Sequence, residues 1–89
     1  MIRKFNDHKF AQCYIREYDN GNKTLVSYTT PVIYIKDGWL EITGLYSRTT
    51  IRHIGWFMRE LGLTYQFAKQ LYTDGYRYNL ETGEVVAVA

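Results

Sequence analysis

Two glycine turns in the first half of the chain, Asn20-Gly21 and Asp37-Gly38, constrain the fold more than any other feature. A two-residue hairpin loop of the favoured kind needs positive φ at both central positions, and Asn-Gly and Asp-Gly adopt it at least cost. The Asp37-Gly38 turn carries a register that its flanks can check. Pairing across it sets Ile35 opposite Leu40 and Ile33 opposite Ile42 on one face, and Lys36 opposite Trp39 and Tyr34 opposite Glu41 on the other. One side is wholly aliphatic and the other mixed, as expected of strands with a single buried face. The same rule at Asn20-Gly21 pairs Ile15 with Val26 and Cys13 with Tyr28, and, on the reverse side, Tyr14 with Ser27 and Tyr18 with Lys23. Pro31 lacks a ladder donor, so a break or bend is expected between Thr30 and Val32.

Past Gly44 the hydrophobic period changes from two to 3.6. Ser47 or Thr49 can cap a helix running to about Leu61 that Gly62 ends; Thr64 can start a second that stops near Gly75. The second helix should bury Phe67, Ala68, Leu71 and Tyr72 and leave Tyr65, Gln66, Lys69, Gln70 and Thr73 wet. The tail reads as a hairpin turning at Glu81-Thr82-Gly83, with Gly83 left-handed, that completes the sheet. The expected fold is therefore α+β in one domain over residues 1–89: an antiparallel sheet of hairpins, four N-terminal strands and two C-terminal strands, with a central αα-hairpin packed on it.

Eighty-nine residues with 46% hydrophobic and 17% aromatic content can build a core without staples, and the lone Cys13 excludes an internal disulfide. No apolar run approaches the roughly 20 residues of a membrane span, and the N-terminus has no apolar segment of signal-peptide type. A cytoplasmic protein without membrane association is expected. His8, Cys13 and Asp7 match no zinc spacing, so neither metal nor cofactor is expected. His53, near Ser47, Thr49 and Thr50, lacks an orienting carboxylate at a defined spacing and reads as a solvated or capping side chain. The nine carboxylates are scattered, with no acid–base pair singled out, and a non-enzymatic protein is expected.

The formal charge is only +2, so any anion site must come from local clustering. Arg48, Arg52, Trp56 and Arg59 supply one: at about 100° per residue they share an arc of roughly 80°, opposite Ile51, Ile54, Phe57, Met58 and Leu61. A tryptophan among three guanidinium groups suits phosphates, bases or an acidic protein surface. Two bland arrangements compete with it. Arg52 and Arg59 can cover Trp56 with their own stems, or Trp56 can lie under the N-terminal segment against Phe5 or Phe10.

Residues 54–72 resemble a helix-turn-helix DNA-binding unit in Phe57, Leu61, Gly62, Leu63, Thr64, Ala68 and Leu71. The resemblance implies a second helix in the major groove, with Tyr65, Gln66, Lys69 and Gln70 facing base edges. Met58 departs from it, standing where such units carry a small residue that lets the helices approach. The whole chain is loosely similar to small uncharacterised proteins of phages and plasmids of Gram-positive bacteria, which implies a small regulator or an inhibitor of host defence such as an anti-CRISPR protein. The partner expected is DNA or RNA, bound through Arg48, Arg52, Trp56, Arg59, Tyr65, Gln66, Lys69 and Gln70; alternatively, these residues serve a protein–protein module that grips a host protein. The first hairpin, rich in tyrosine and β-branched residues, also offers an edge for a homodimer.

Overall fold

The computed structural model describes residues 1–88. Seven strands form one antiparallel sheet in chain order: β1 (Ile2–Arg3), β2 (Cys13–Glu17), β3 (Lys23–Ser27), β4 (Thr30–Lys36), β5 (Trp39–Ile42), β6 (Tyr76–Asn79) and β7 (Val85–Ala87). Helices α1 (Arg48–Glu60) and α2 (Tyr65–Asp74) intervene between β5 and β6, which nevertheless pair, with Trp39 opposite Asn79 and Leu40 opposite Tyr78. The α+β class and the central αα-hairpin stand, but the grouping is five strands plus two rather than four plus two. The additional strand, β1, pairs Ile2 with Arg16 and Arg3 with Ile15. Its two residues are too few to show an alternation in the sequence.

The Asp37-Gly38 hairpin has the expected register at all four pairs, and both turn residues take positive φ, 53° and 85°. The Asn20-Gly21 turn differs. Only Gly21 is left-handed there, the Tyr18 N–H donates to the Asn22 carbonyl, and the Asn22 N–H donates to Asn20 Oδ1, giving a three-residue loop. The pairing slides by one residue: Ile15 faces Leu25, Tyr14 faces Val26 and Cys13 faces Ser27. A one-residue slide exchanges the faces of a strand, and here it sends Leu25 rather than Val26 to the helical side, where Leu25 is fully buried. Tyr28 does not extend β3; with φ of 57° it forms, with Thr29, the turn into β4. Pro31 bends the sheet without breaking it: Leu25 faces Ile33, Val26 faces Pro31, and Val32 is left over as a bulge, one of the few places a strand tolerates proline. Of the edges that the first hairpin could offer to a second copy, β4 covers that of β3, and β1 covers that of β2 at Ile15 and Arg16.

The helices follow their capping residues. Ser47 Oγ accepts from the Thr50 N–H and Thr64 Oγ1 accepts from the Phe67 N–H, each satisfying a first-turn donor. At the end of α1 the Leu63 N–H reaches the Met58 carbonyl at 2.8 Å and the Gly62 N–H reaches that of Arg59 at 2.9 Å, a Schellman closure around left-handed Gly62. Helix α1 packs over β3 and β4, and α2 over β5 and β6. Ile54, Phe57, Met58, Ala68 and Leu71 meet Ile15, Leu25, Ile33, Ile35, Leu40 and Ile42 in one core.

Two glycines in the helical hairpin should respond oppositely to alanine. A Cβ at Gly62 meets nothing within 4 Å, so Gly62→Ala carries only the left-handed backbone cost, about 1–2 kcal/mol. Gly55 lies inside α1 and a Cβ there would rest 3.8 Å from that of Tyr65, an ordinary contact, so Gly55→Ala should stabilise by about 0.5–1 kcal/mol. Urea denaturation of both variants tests this; a stabilised Gly62→Ala would refute the closure described.

Candidate nucleic-acid interface

Helix α1 turns the Arg48, Arg52 and Arg59 side chains outward, and all three are exposed. None forms an ion pair among the described residues, where the ion pairs are Arg3 with Glu17 and Glu60, and Lys23 with Glu17. Trp56 is not held in water between them. The His8 imidazole stacks on its indole with centroids 3.6 Å apart and planes 5° from parallel, while Phe5 meets it edge-on at 5.9 Å. The covering segment is anchored on both sides of His8: before it, Phe5 is buried in the core and the Arg3 guanidinium donates to both oxygens of Glu60 at 2.8 Å, and after it the Ala11 N–H donates to the His8 carbonyl. Phe10, the other candidate cover, is 99% exposed. Trp56 is therefore half-buried and structural in its packing, and the stripe is reduced to its three arginines.

Helix α2 keeps Gln66, Lys69 and Gln70 exposed as expected. Tyr65, expected in water, is half-buried against the core beside Gly55, while Tyr72, expected inside, is exposed. Gly55 also answers the departure at Met58: the small residue at the helix contact is Gly55, against Tyr65, and Met58 points into the core, fully buried. Since both helices lie on the same side of the sheet, Arg48, Arg52, Arg59, Gln66, Lys69 and Gln70 belong to one outer layer.

His53 is a correction. It is 1% exposed, and its Nδ1 lies 2.7 Å from Ser27 Oγ, which also meets Thr50 Oγ1 at 3.0 Å. This network joins β3 to α1. The slide of the first hairpin creates it by bringing Ser27 to the helical face, which explains why spacing along the chain did not reveal it. No carboxylate among the described residues joins the network, and Ser27 is itself 1% exposed, so the pair is a buried tie rather than a reachable nucleophile. Burial, followed by the nearby charges of Arg52 and Lys4, pushes the His53 imidazole below its ordinary value of 6.5.

A second surface lies on the far side of the sheet. Residues alternate between the faces of a strand, so the positions between the core residues point away from the helices: Tyr14 and Arg16 on β2, Tyr34 and Lys36 on β4, Trp39 and Glu41 on β5. Arg77 on β6 joins them, its guanidinium 4.6 Å from the centroid of the Trp39 ring. Sequence reasoning missed this face as a site, although the Asp37-Gly38 register already sets Tyr34, Lys36 and Trp39 on one mixed side.

Residues 3–75 match the model of a family of unknown function, DUF8033. The chain belongs to DUF8033. No curated protein and no solved structure matches it. The family match runs from β1 to the left-handed cap of α2 at Gly75, so it takes in the arginine stripe, the Ser27–His53–Thr50 network, Tyr34 and Trp39 of this DUF8033 chain, whereas Arg77 lies beyond it. Among the described residues no group of three or more His, Cys, Asp or Glu side chains converges on a metal position, and no helix is long and apolar enough to cross a membrane.

The His53 tie gives a pH dependence of definite sign. The unfolded chain takes up the imidazole proton more readily than the folded one, so the stabilisation is complete above 6.5 and is lost as pH falls through the depressed folded value. Chemical denaturation between about pH 8 and pH 5 should show stability declining toward acid, and His53→Gln should flatten that limb. An unchanged slope in the variant would assign the effect elsewhere.

Proposed function

We propose that this chain is a small non-enzymatic nucleic-acid-binding module whose helical layer holds phosphates. The observation that carries the reading is that Arg48, Arg52 and Arg59 project from one face of α1, exposed and without a carboxylate partner among the described residues. In a chain of net charge +2, folding does not require three free guanidinium groups in a row. Phosphates are met by the planar fork of arginine, which supplies two parallel donors where lysine supplies a point charge. Lys69, Gln66 and Gln70 of α2 extend the layer with the donors and acceptors that base edges take. The helix-turn-helix comparison keeps its capped turn and its close helix contact at Gly55, but loses Tyr65 as a groove reader. Trp56 contributes no stacking in this reading, since His8 occupies its face.

Affinity for a 20-base-pair duplex, followed by anisotropy from about 50 to 200 mM salt, tests the proposal. Binding should weaken steeply, and replacing Arg48, Arg52 and Arg59 together by alanine should flatten the log–log slope by about 0.9 for each phosphate no longer neutralised. Trp56→Phe should leave the slope as it is. Absence of binding at about 50 mM salt would end the reading; a stoichiometric protein partner that the triple variant fails to bind would then place the same arginines in a protein interface.

A further inference from the structure

The sheet face turned away from the helices carries a set of side chains that the core does not use. Cross-strand pairing aligns Ile2, Arg16, Thr24, Tyr34 and Glu41 in one row over five strands. Tyr34, 43% exposed, divides the face into two open grooves. One, of about 430 Å³, lies among Tyr34, Lys36, Trp39, Glu41 and Arg77. The other, of about 350 Å³, has buried Thr24 and Val26 at its base beside Tyr14 and Arg16. Arg16, Lys36 and Arg77 make no ion pair among the described residues, although Glu41 and Asp37 border the first groove. The Arg77 Nε–H is buried without a hydrogen-bond partner among the described residues, a donor left without an acceptor where its guanidinium stacks on Trp39.

We propose that this open face binds single-stranded nucleic acid, with bases stacked on Tyr34 and on the Trp39–Arg77 pair and phosphates held by Arg16 and Lys36. Three features select that ligand. Aromatic rings and a guanidinium plane standing on a sheet offer π-faces that suit single strands over duplexes, because in a duplex the base faces are covered. The free cations beside them match a phosphate backbone in sign. Glu41, which would repel an acidic peptide as strongly as it repels phosphate, has a use against bases, because a carboxylate accepts from their exocyclic amines. The proposal extends the nucleic-acid reading but stands on the opposite face from the helical arginines, so the two can fail separately.

Trp39 and Trp56 are the two tryptophans, so Trp56→Phe leaves Trp39 as the sole indole reporter. Titrating that variant with a twelve-residue oligodeoxycytidylate, whose bases carry the exocyclic amine that Glu41 can accept from, and separately with polyglutamate, reads the face directly. The oligonucleotide should quench Trp39 emission, Tyr34→Ala should weaken binding about five- to a hundredfold, and Tyr34→Phe should restore it, since stacking needs the ring and not the hydroxyl. Replacing Arg48, Arg52 and Arg59 by alanine should leave the quenching in place. Quenching by polyglutamate equal to that of the oligonucleotide, no quenching by either, or oligonucleotide binding abolished with the helical arginines but kept in Tyr34→Ala would each overturn the proposal, the last while leaving the helical reading intact.

Discussion

The two-residue period of the strands governs the rest of the molecule. A meander with Ile15, Leu25, Ile33, Ile35, Leu40 and Ile42 on one face must cover that face, and a chain of 89 residues supplies two helices to do so. At about 25 cal/mol per Å² of apolar surface, leaving such a face wet would cost more than the whole stability of a small domain. Both helices are therefore committed to the same side. The opposite side is left open by arithmetic, and its residues are chosen by something other than the core.

Between sheet and helices the Ser27–His53–Thr50 network sets the alignment that apolar contact alone leaves loose. Hydrophobic burial is non-directional, so Phe57, Ile54 and Met58 hold α1 against the sheet without fixing its position along β3. A 2.7 Å bond from Ser27 Oγ to His53 Nδ1 does fix it, because displacement of either element strands buried polar atoms, at about 1–3 kcal/mol each. The position matters for the proposed function: it is α1, so aligned, that presents Arg48, Arg52 and Arg59 in a row. The N-terminal segment adds a second tie, through Arg3 to Glu60 and His8 onto Trp56.

Local chemistry was legible in the sequence wherever one residue sufficed to decide it. Gly38 with Asp37, Gly62, Gly75, Gly83, Ser47 and Thr64 each mark a turn or a cap, and each acts as one. What depended on two distant segments was not legible. The first hairpin sits one residue away from the register that a two-residue Asn20-Gly21 turn favours, and in the register it takes Leu25 is buried and Glu17 faces Lys23. His53 found its partner 26 positions away, across that same slide. The helical stripe meets the same limit: periodicity placed Arg48, Arg52, Trp56 and Arg59 together on α1, yet could not know that Phe5 and His8 return to pack on the indole.

Charge distribution links the two candidate surfaces. Glu17 and Glu60 gather Arg3 and Lys23 into one cluster, where the Arg3 hydrogen bond holds the Glu17 carboxyl below its ordinary range. With those carboxylates occupied at the end of β2 and the end of α1, the cations on the two broad faces have no such partners among the described residues: Arg48, Arg52 and Arg59 on the helical side, Arg16, Lys36 and Arg77 on the sheet side. A net charge of +2 thus conceals two sets of cations without ion-pair partners among the described residues, one on each face, the sheet set standing beside Glu41 and Asp37. They differ in what accompanies the charge. The helical cations stand among glutamines with the nearest indole already covered, which suits a phosphate backbone; the sheet cations stand beside exposed Tyr34 and the Trp39–Arg77 stack, which suits bases freed from their own stack.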